Sequence, residues 1–260
     1  MIKWGLTLLL FTFSTAHSQQ TIKILSYNIF HGEQAYKKGE PNIDSVAGLI
    51  NKYKPDLAAF QEVDSATGRS ESIYKVHTDF IAELARKTGM HGFFGKAMDY
   101  DGGGYGEGLL TNKPARATVK ILPTPKGGEP RALIYIDYPL SKKKKIVFAG
   151  THLCHQFEEN RIAQVTEINK TFESVKLPVI LCGDLNFTPD KEPYRILSTA
   201  WNDAAILKGD PQLTFSVDNP KVRIDYAWLK KGHTFKVVDV QVLPYDYSDH
   251  KPVLITLEIQ

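Results

Sequence analysis

The 260-residue chain has only two cysteines, Cys154 and Cys182, which excludes a scaffold built on disulfides. Both lie in apolar, strand-like stretches, where small buried thiols are common, so free thiols are expected. Tight ligand spacings such as HExxH or paired CxxC are missing, which argues against zinc. No apolar run reaches the ~20 residues that a bilayer crossing requires. There is no Pro- or Ser-rich linker and no internal repeat, so one large domain is expected. Charge of one sign is scarce too: the formal net charge of +3 falls far short of the basic footprint of a dedicated nucleic-acid binder. The cationic run from Lys142 to Lys145 reads as a solvated turn between two strand-like segments.

What is present begins with a leader pattern. Lys3 precedes an apolar run from Trp4 to Phe13, and the small residues Ala16 and Ser18 suit a signal peptidase. The expectation is a signal peptide over 1–18, a catalytic domain over 19–260, and a secreted or periplasmic protein. With 42% hydrophobic and 23% charged residues, the composition is that of a folded globular domain rather than a disordered chain.

Apolar runs recur at Ile22 to Phe30, Leu57 to Val63, Ala132 to Tyr138, Ile146 to Leu153, Val179 to Leu185, Ile224 to Leu229 and Val253 to Ile259. Several are continuous rather than alternating, as expected of strands covered on both faces. Helical spacing of apolar residues marks Ile43 to Tyr53, Thr78 to Thr88 and Glu158 to Val175 between them. The chain should therefore be an α/β (α+β) protein, strand-rich with helices outside.

Polar residues gather where these runs end. Asn28 lies in SYNIFHG, Glu62 follows LAAF, His152 ends FAGTH, Asp184 and Asn186 lie in GDLN, and Asp249 and His250 precede KPVLITL. One acid or amide at a strand exit usually means a cap or a turn. Five exits drawing on the same few residue types point instead to one convergent site. Acid, amide and imidazole groups are what phosphate-ester cleavage needs: charge stabilisation, a positioned water and proton management. Hard divalent cations accept such oxygen ligands, with one or two carboxylates sufficing.

The segments SYNIFHG, LAAFQEVD, GYGEGLLTNKP, FAGTHL, GDLNFTP, RIDYAWL and YSDHKPV resemble, in order, the motifs of the endonuclease, exonuclease and phosphatase superfamily, in a form similar to its secreted bacterial members. The resemblance spans nearly the whole chain after the leader. It implies a deoxyribonuclease I-like, four-layered sandwich of two mixed β-sheets flanked by helices, and a hydrolase using Mg²⁺ or Mn²⁺. By the same resemblance Glu62 holds the metal, with Asn28 beside it helping to position metal or phosphate, and Asp249 is a second acid near the metal. His250 is the catalytic imidazole, oriented by Asp225. Asp184 and Asn186 position the attacking water and the phosphate, with the base left open between Asp184 and His250. His152 donates to phosphate or acts as acid, Glu107 supports it, and Arg131 contacts phosphate.

The substrate is less defined than the chemistry, because one fold hosts many functions. A nuclease is one reading, supported by Glu107. A phospholipid or sphingolipid phosphodiesterase is another, with His91 to Phe94 and Tyr245 to Tyr247 as faint candidates for loops that dock on a membrane. A catalytically silent binding module is the reading from a different class; the retention of Glu62, Asp184, Asn186 and His250 counts against it. Nucleic acid and lipid both stay open as substrates, no obligate protein partner is called for, and a monomer is expected.

Overall fold

A computed structural model of the chain describes residues 20–142 and 144–259; the expected leader lies outside them. Among the described residues, twelve strands form two six-stranded sheets. The first holds β1 (Gln20–Asn28), β2 (Leu57–Ser65), β3 (His91–Tyr100), β4 (Gly103–Thr111), β11 (Phe235–Val242) and β12 (Val253–Ile259), in the order β11-β12-β1-β2-β4-β3. The second holds β5 (Ala117–Leu122), β6 (Arg131–Pro139), β7 (Lys145–His152), β8 (Val179–Asp184), β9 (Trp201–Asp203) and β10 (Asp225–Lys230), in the order β5-β6-β7-β8-β10-β9. Each sheet contains one parallel pair, β1–β2 and β7–β8. Both sheets are thus mixed, the architecture expected from the resemblance.

Three apolar clusters explain why the strand runs were continuous rather than alternating. Between the sheets, Ile24, Ala59 and Leu109 of the first meet Ile134, Phe148 and Ile180 of the second. Outside the first sheet, α1 (Ile43–Tyr53) and α3 (Phe80–Thr88), separated by the short α2 (Gly68–Tyr74), bury Val46, Ile50, Phe80 and Leu84 against Leu25, Phe60 and Leu110. Outside the second, α4 (Glu158–Phe172) and α5 (Glu192–Ala200) bury Val165, Phe172 and Leu197 against Val147, Leu181 and Trp228. Central strands therefore face apolar layers on both sides. Among the described residues no helix is long and apolar enough to cross a membrane.

Several boundaries differ from the sequence expectation for local reasons. Helix α3 starts at Phe80, not Thr78, because Asp79 caps it by accepting from the Ala82 N–H at 2.8 Å. Helix α4 ends at Phe172, with Val175 already in a turn whose N–H donates to the Phe172 carbonyl. Ser141 and Lys144 close the β6–β7 hairpin, and Lys145 is part of β7. The proposed membrane loops are neither free nor loops in one case: His91 to Phe94 are paired residues of β3, with Phe93 and Phe94 packed against the two cores. Tyr245 and Tyr247 pack against the α1 side of the first sheet. Cys154 and Cys182 are buried free thiols.

Candidate active site

The polar strand exits converge at one end of the two sheets. Asn28 ends β1, Glu62 lies in β2 and His250 precedes β12 in the first sheet; His152 ends β7, Asp184 ends β8 and Asp225 begins β10 in the second. In the parallel β7–β8 register His152 lies directly beside Asp184. Gly183 permits this approach: its φ is +156° and an added Cβ would stand 1.9 Å from the Thr151 carbonyl oxygen. Any side chain at 183 would push the His152 and Asp184 strands apart.

Glu62 reaches the site through a bulge. Phe60 pairs with Gly108 and Val63 with Gly106, so Gln61 and Glu62 together oppose the single residue Glu107. Glu62 takes a left-handed conformation at φ 56°, and Asn186 does the same at φ 51°. Such backbone is costly for residues with a Cβ and occurs where a side chain is re-aimed.

Asn28 is fully buried and joins the two sheets. Its Nδ2 donates to Glu62 Oε1 at 3.0 Å and to Asp184 Oδ2 at 3.1 Å, and lies 3.4 Å from His250 Nε2. Its Oδ1 is used by the Phe30 N–H at 3.1 Å. Asn28 thus turns its N–H groups to the two carboxylates and keeps its carbonyl oxygen for the Phe30 N–H.

His250 Nδ1 sits 2.9 Å from Asp225 Oδ2, and its Nε2 lies 3.5 Å from Asp184 Oδ2. Burial opposes a charge on this ring, but Asp225 and then Asp184 outweigh it and push His250 up to about 10. Burial pushes Asp184 up to about 7, with Asp225 adding to the rise and His250 opposing it. For Glu62 burial acts upward, yet hydrogen bonds from His31 and Asn28 and the charge of His250 hold it well below the ordinary carboxylate range. Burial raises Asp249, the His250 charge opposes the rise, and the Glu62 charge adds to it.

Asp184, Asp225 and His250 bring one ligand atom each within 4.8 Å of one another. As Asp225 already engages His250 Nδ1, this trio is better understood as a hydrogen-bonded acid–imidazole–acid chain than as a metal cage. Outside that chain, the Glu62 charge acts on Asp249 and raises it, a repulsion that a hard cation would relieve.

On the other side, His152 Nε2 lies 2.9 Å from Asn186 Nδ2 and 3.5 Å from Asp184 Oδ2. Its Nδ1 meets Arg131 Nη1 at 3.1 Å. Burial and then the Arg131 charge push His152 well below the ordinary imidazole range. Arg131 was expected at a phosphate and Glu107 behind the ring. The structure instead puts Arg131, 1% exposed, behind the ring, while Glu107 Oε1 accepts from the Ala132 N–H at 3.4 Å. Strand β6 places residue 131 inside the layer, so its guanidinium never reaches the open face.

Some neighbours escaped the sequence reading. His31 Nδ1 lies 3.5 Å from Glu62 Oε2 and its Nε2 3.2 Å from Glu33 Oε2; its position in SYNIFHG was the available signal. Glu129 and His155, both contacting Arg131, come from separate loops and had none. A cleft of about 430 Å³ walled by Ile43, Tyr74, His77, Asp79 and Arg86 contains none of the convergent residues.

A family model described as the Endonuclease/Exonuclease/phosphatase family matches residues 25–250. A search of curated proteins finds no match. Solved structures share the fold at low identity. The human Nocturnin catalytic domain with a bound sulfate anion superposes with TM-score 0.71 at 20% identity, covering 92% of this chain and 95% of that one. The mannosyl-6-phosphatase Bt3783 of Bacteroides thetaiotaomicron gives 0.71 at 16%, covering 91% and 99%. TDP2 of D. rerio, complexed with a single-strand DNA product, gives 0.69 at 17%, covering 91% and 98%.

Proposed function

The chain belongs to the endonuclease/exonuclease/phosphatase family and is a phosphoesterase, and from that premise we propose that it is a secreted, divalent-metal-dependent hydrolase that cleaves a phosphodiester or phosphomonoester by in-line attack of water. The observation that carries this reading is the single buried donor, Asn28, shared by Glu62 and Asp184 at 3.0 and 3.1 Å with His250 beside them. A carboxylate pole, a paired imidazole and a second acid thus meet around one small space, as water attack on phosphorus requires.

Glu62 and Asp249 would hold Mg²⁺ or Mn²⁺, which when bound neutralises charge on the phosphate oxygens. The protein's own groups supply the rest. Asp225 and Asp184 push His250 up to about 10, which favours the charged ring that offsets the negative charge building on phosphorus oxygens. That leaves Asp184, pushed up to about 7, as the acceptor of the water's proton. Asn28, Asn186 and His152 orient the phosphate.

Relatives of this fold support a phosphate-ester substrate without choosing one: a sugar phosphatase and a protein crystallised with a single-strand DNA product both share it. The aromatic stretches considered for membrane docking are partly buried against the cores and add nothing in favour of a lipid substrate. Secretion rests on the leader pattern over 1–18, and a mature N-terminus at about residue 19 in the periplasmic or culture fraction is the expected result.

The test is hydrolysis of bis-p-nitrophenyl phosphate and p-nitrophenyl phosphate with Mg²⁺ or Mn²⁺ and with EDTA, with His250→Ala as control. Metal-supported turnover lost in the variant is expected, and the preferred ester assigns the substrate class. No turnover of either ester together with no Mn²⁺ binding would return the chain to a binding module.

A further inference from the structure

His152 has two ring nitrogens and two neighbours competing for them. Arg131 Nη1 stands 3.1 Å from Nδ1, and Asn186 Nδ2, which also donates to the Leu153 carbonyl at 3.0 Å, stands 2.9 Å from Nε2. A neutral imidazole offers one N–H and one lone pair, so it can accept from only one of them. A second ring proton is disfavoured by burial and by the guanidinium itself.

The charged donor decides the contest. A guanidinium cannot accept a hydrogen bond, and charge-assisted hydrogen bonds are roughly twice as strong as neutral ones. Arg131 is 1% exposed and is also held from behind, by Glu129 Oε2 at 2.8 Å and His155 Nδ1 at 3.1 Å. Nδ1 must therefore accept, and the hydrogen sits on Nε2. Nε2 stands 2.9 Å from Asn186 Nδ2 and 3.5 Å from Asp184 Oδ2, and an acceptor oxygen taken by both N–H groups would relieve the contact between the two donors.

Building on the phosphoesterase reading, we infer that Arg131 is a positioning residue that fixes His152 as its neutral Nε2–H tautomer, so that His152 and Asn186 grip one nonbridging phosphate oxygen as twin hydrogen-bond donors. The competing arrangement has Glu107 accept an Nδ1–H, as the sequence resemblance implied. Glu107 is buried and feels the Arg131 charge, and its Oε2 has no hydrogen-bond partner, so an uncommitted carboxyl lies in the same region. The two arrangements require opposite tautomers.

Long-range ¹H–¹⁵N correlation spectra of the histidine-labelled protein distinguish them, with the ring assigned by its disappearance in His152→Gln. The expected wild-type pattern is a protonated Nε2 and an unprotonated Nδ1. Glu107→Gln should keep that pattern, Arg131→Lys should largely restore it, and Arg131→Met should shift it towards Nδ1–H with a kcat about tenfold or more lower. A wild-type ring protonated at Nδ1, a tautomer that changes in Glu107→Gln, or one indifferent to Arg131→Met overturns the inference. The first two readings suffice if Arg131→Met does not fold. Because the spectrum needs no turnover, an inactive protein with the expected tautomer refutes the phosphoesterase reading alone.

Discussion

Two imidazoles face the same buried site from different sheets, each about 4% exposed, yet their surroundings drive them in opposite directions. His250 is backed by the Asp225 carboxylate and pushed up to about 10, while His152 is backed by the Arg131 guanidinium and pushed well below its ordinary value. Burial alone would treat them alike. The sign of the charge one hydrogen bond behind each ring separates them, and on it rests the different work proposed for each.

The comparison breaks most severely at the charged ring. His250→Ala should lower kcat by about 10²–10⁴-fold in metal-supported diester or monoester hydrolysis; a loss under tenfold would remove His250 from the chemistry. Glu62→Gln should weaken Mn²⁺ binding, seen by calorimetry, and EDTA should abolish turnover that added Mn²⁺ restores. Wild-type Mn²⁺ affinity in Glu62→Gln would place the cation elsewhere. At the neutral ring, His152→Gln should cost less, about 10²-fold, since one of two donors to the same oxygen remains; equal losses at both rings would erase the proposed division of labour.

The smallest effect sharpens the neutral side. Burial pushes Glu107 up to about 8 from an ordinary 4.5, so between these values the folded chain holds a proton that the unfolded chain has released. Stability should fall as pH rises through that window and level off above it. Glu107→Gln should lack that slope. Urea unfolding at pH 5 and at pH 8.5 should then show the wild type losing on the order of a few kcal/mol more than the variant. Parallel behaviour of the two proteins would mean that Glu107 is ionised near neutrality and available to His152 after all.

Much of this was legible in the chain. Seven strands and helix α1 follow directly from continuous apolar runs and helical spacing, and the convergence of Asn28, Glu62, His152, Asp184 and His250 follows from their positions at strand exits. Strand β4 was not legible because its glycines hide the pattern: at Gly106 an added Cβ would stand 2.1 Å from the Gly95 carbonyl, so packing, not propensity, explains the residue. The bulge at Glu62 leaves no periodic trace. Arg131 begins a recognised run, but with both faces of β6 covered, alternation could not say which way its side chain pointed.

The hydrogen bonds from Asn28 to Asp184 and from His250 to Asp225 each tie one sheet to the other. Neither layer owns a complete set of working groups, so catalysis reports on how the layers are aligned. A slip of about 1 Å between them would separate both pairs, and misplacement of that size can cost about 10²-fold in rate. In rising denaturant, turnover should therefore fade while the strands are still paired, making the enzyme its own gauge of the seam that closes the sandwich.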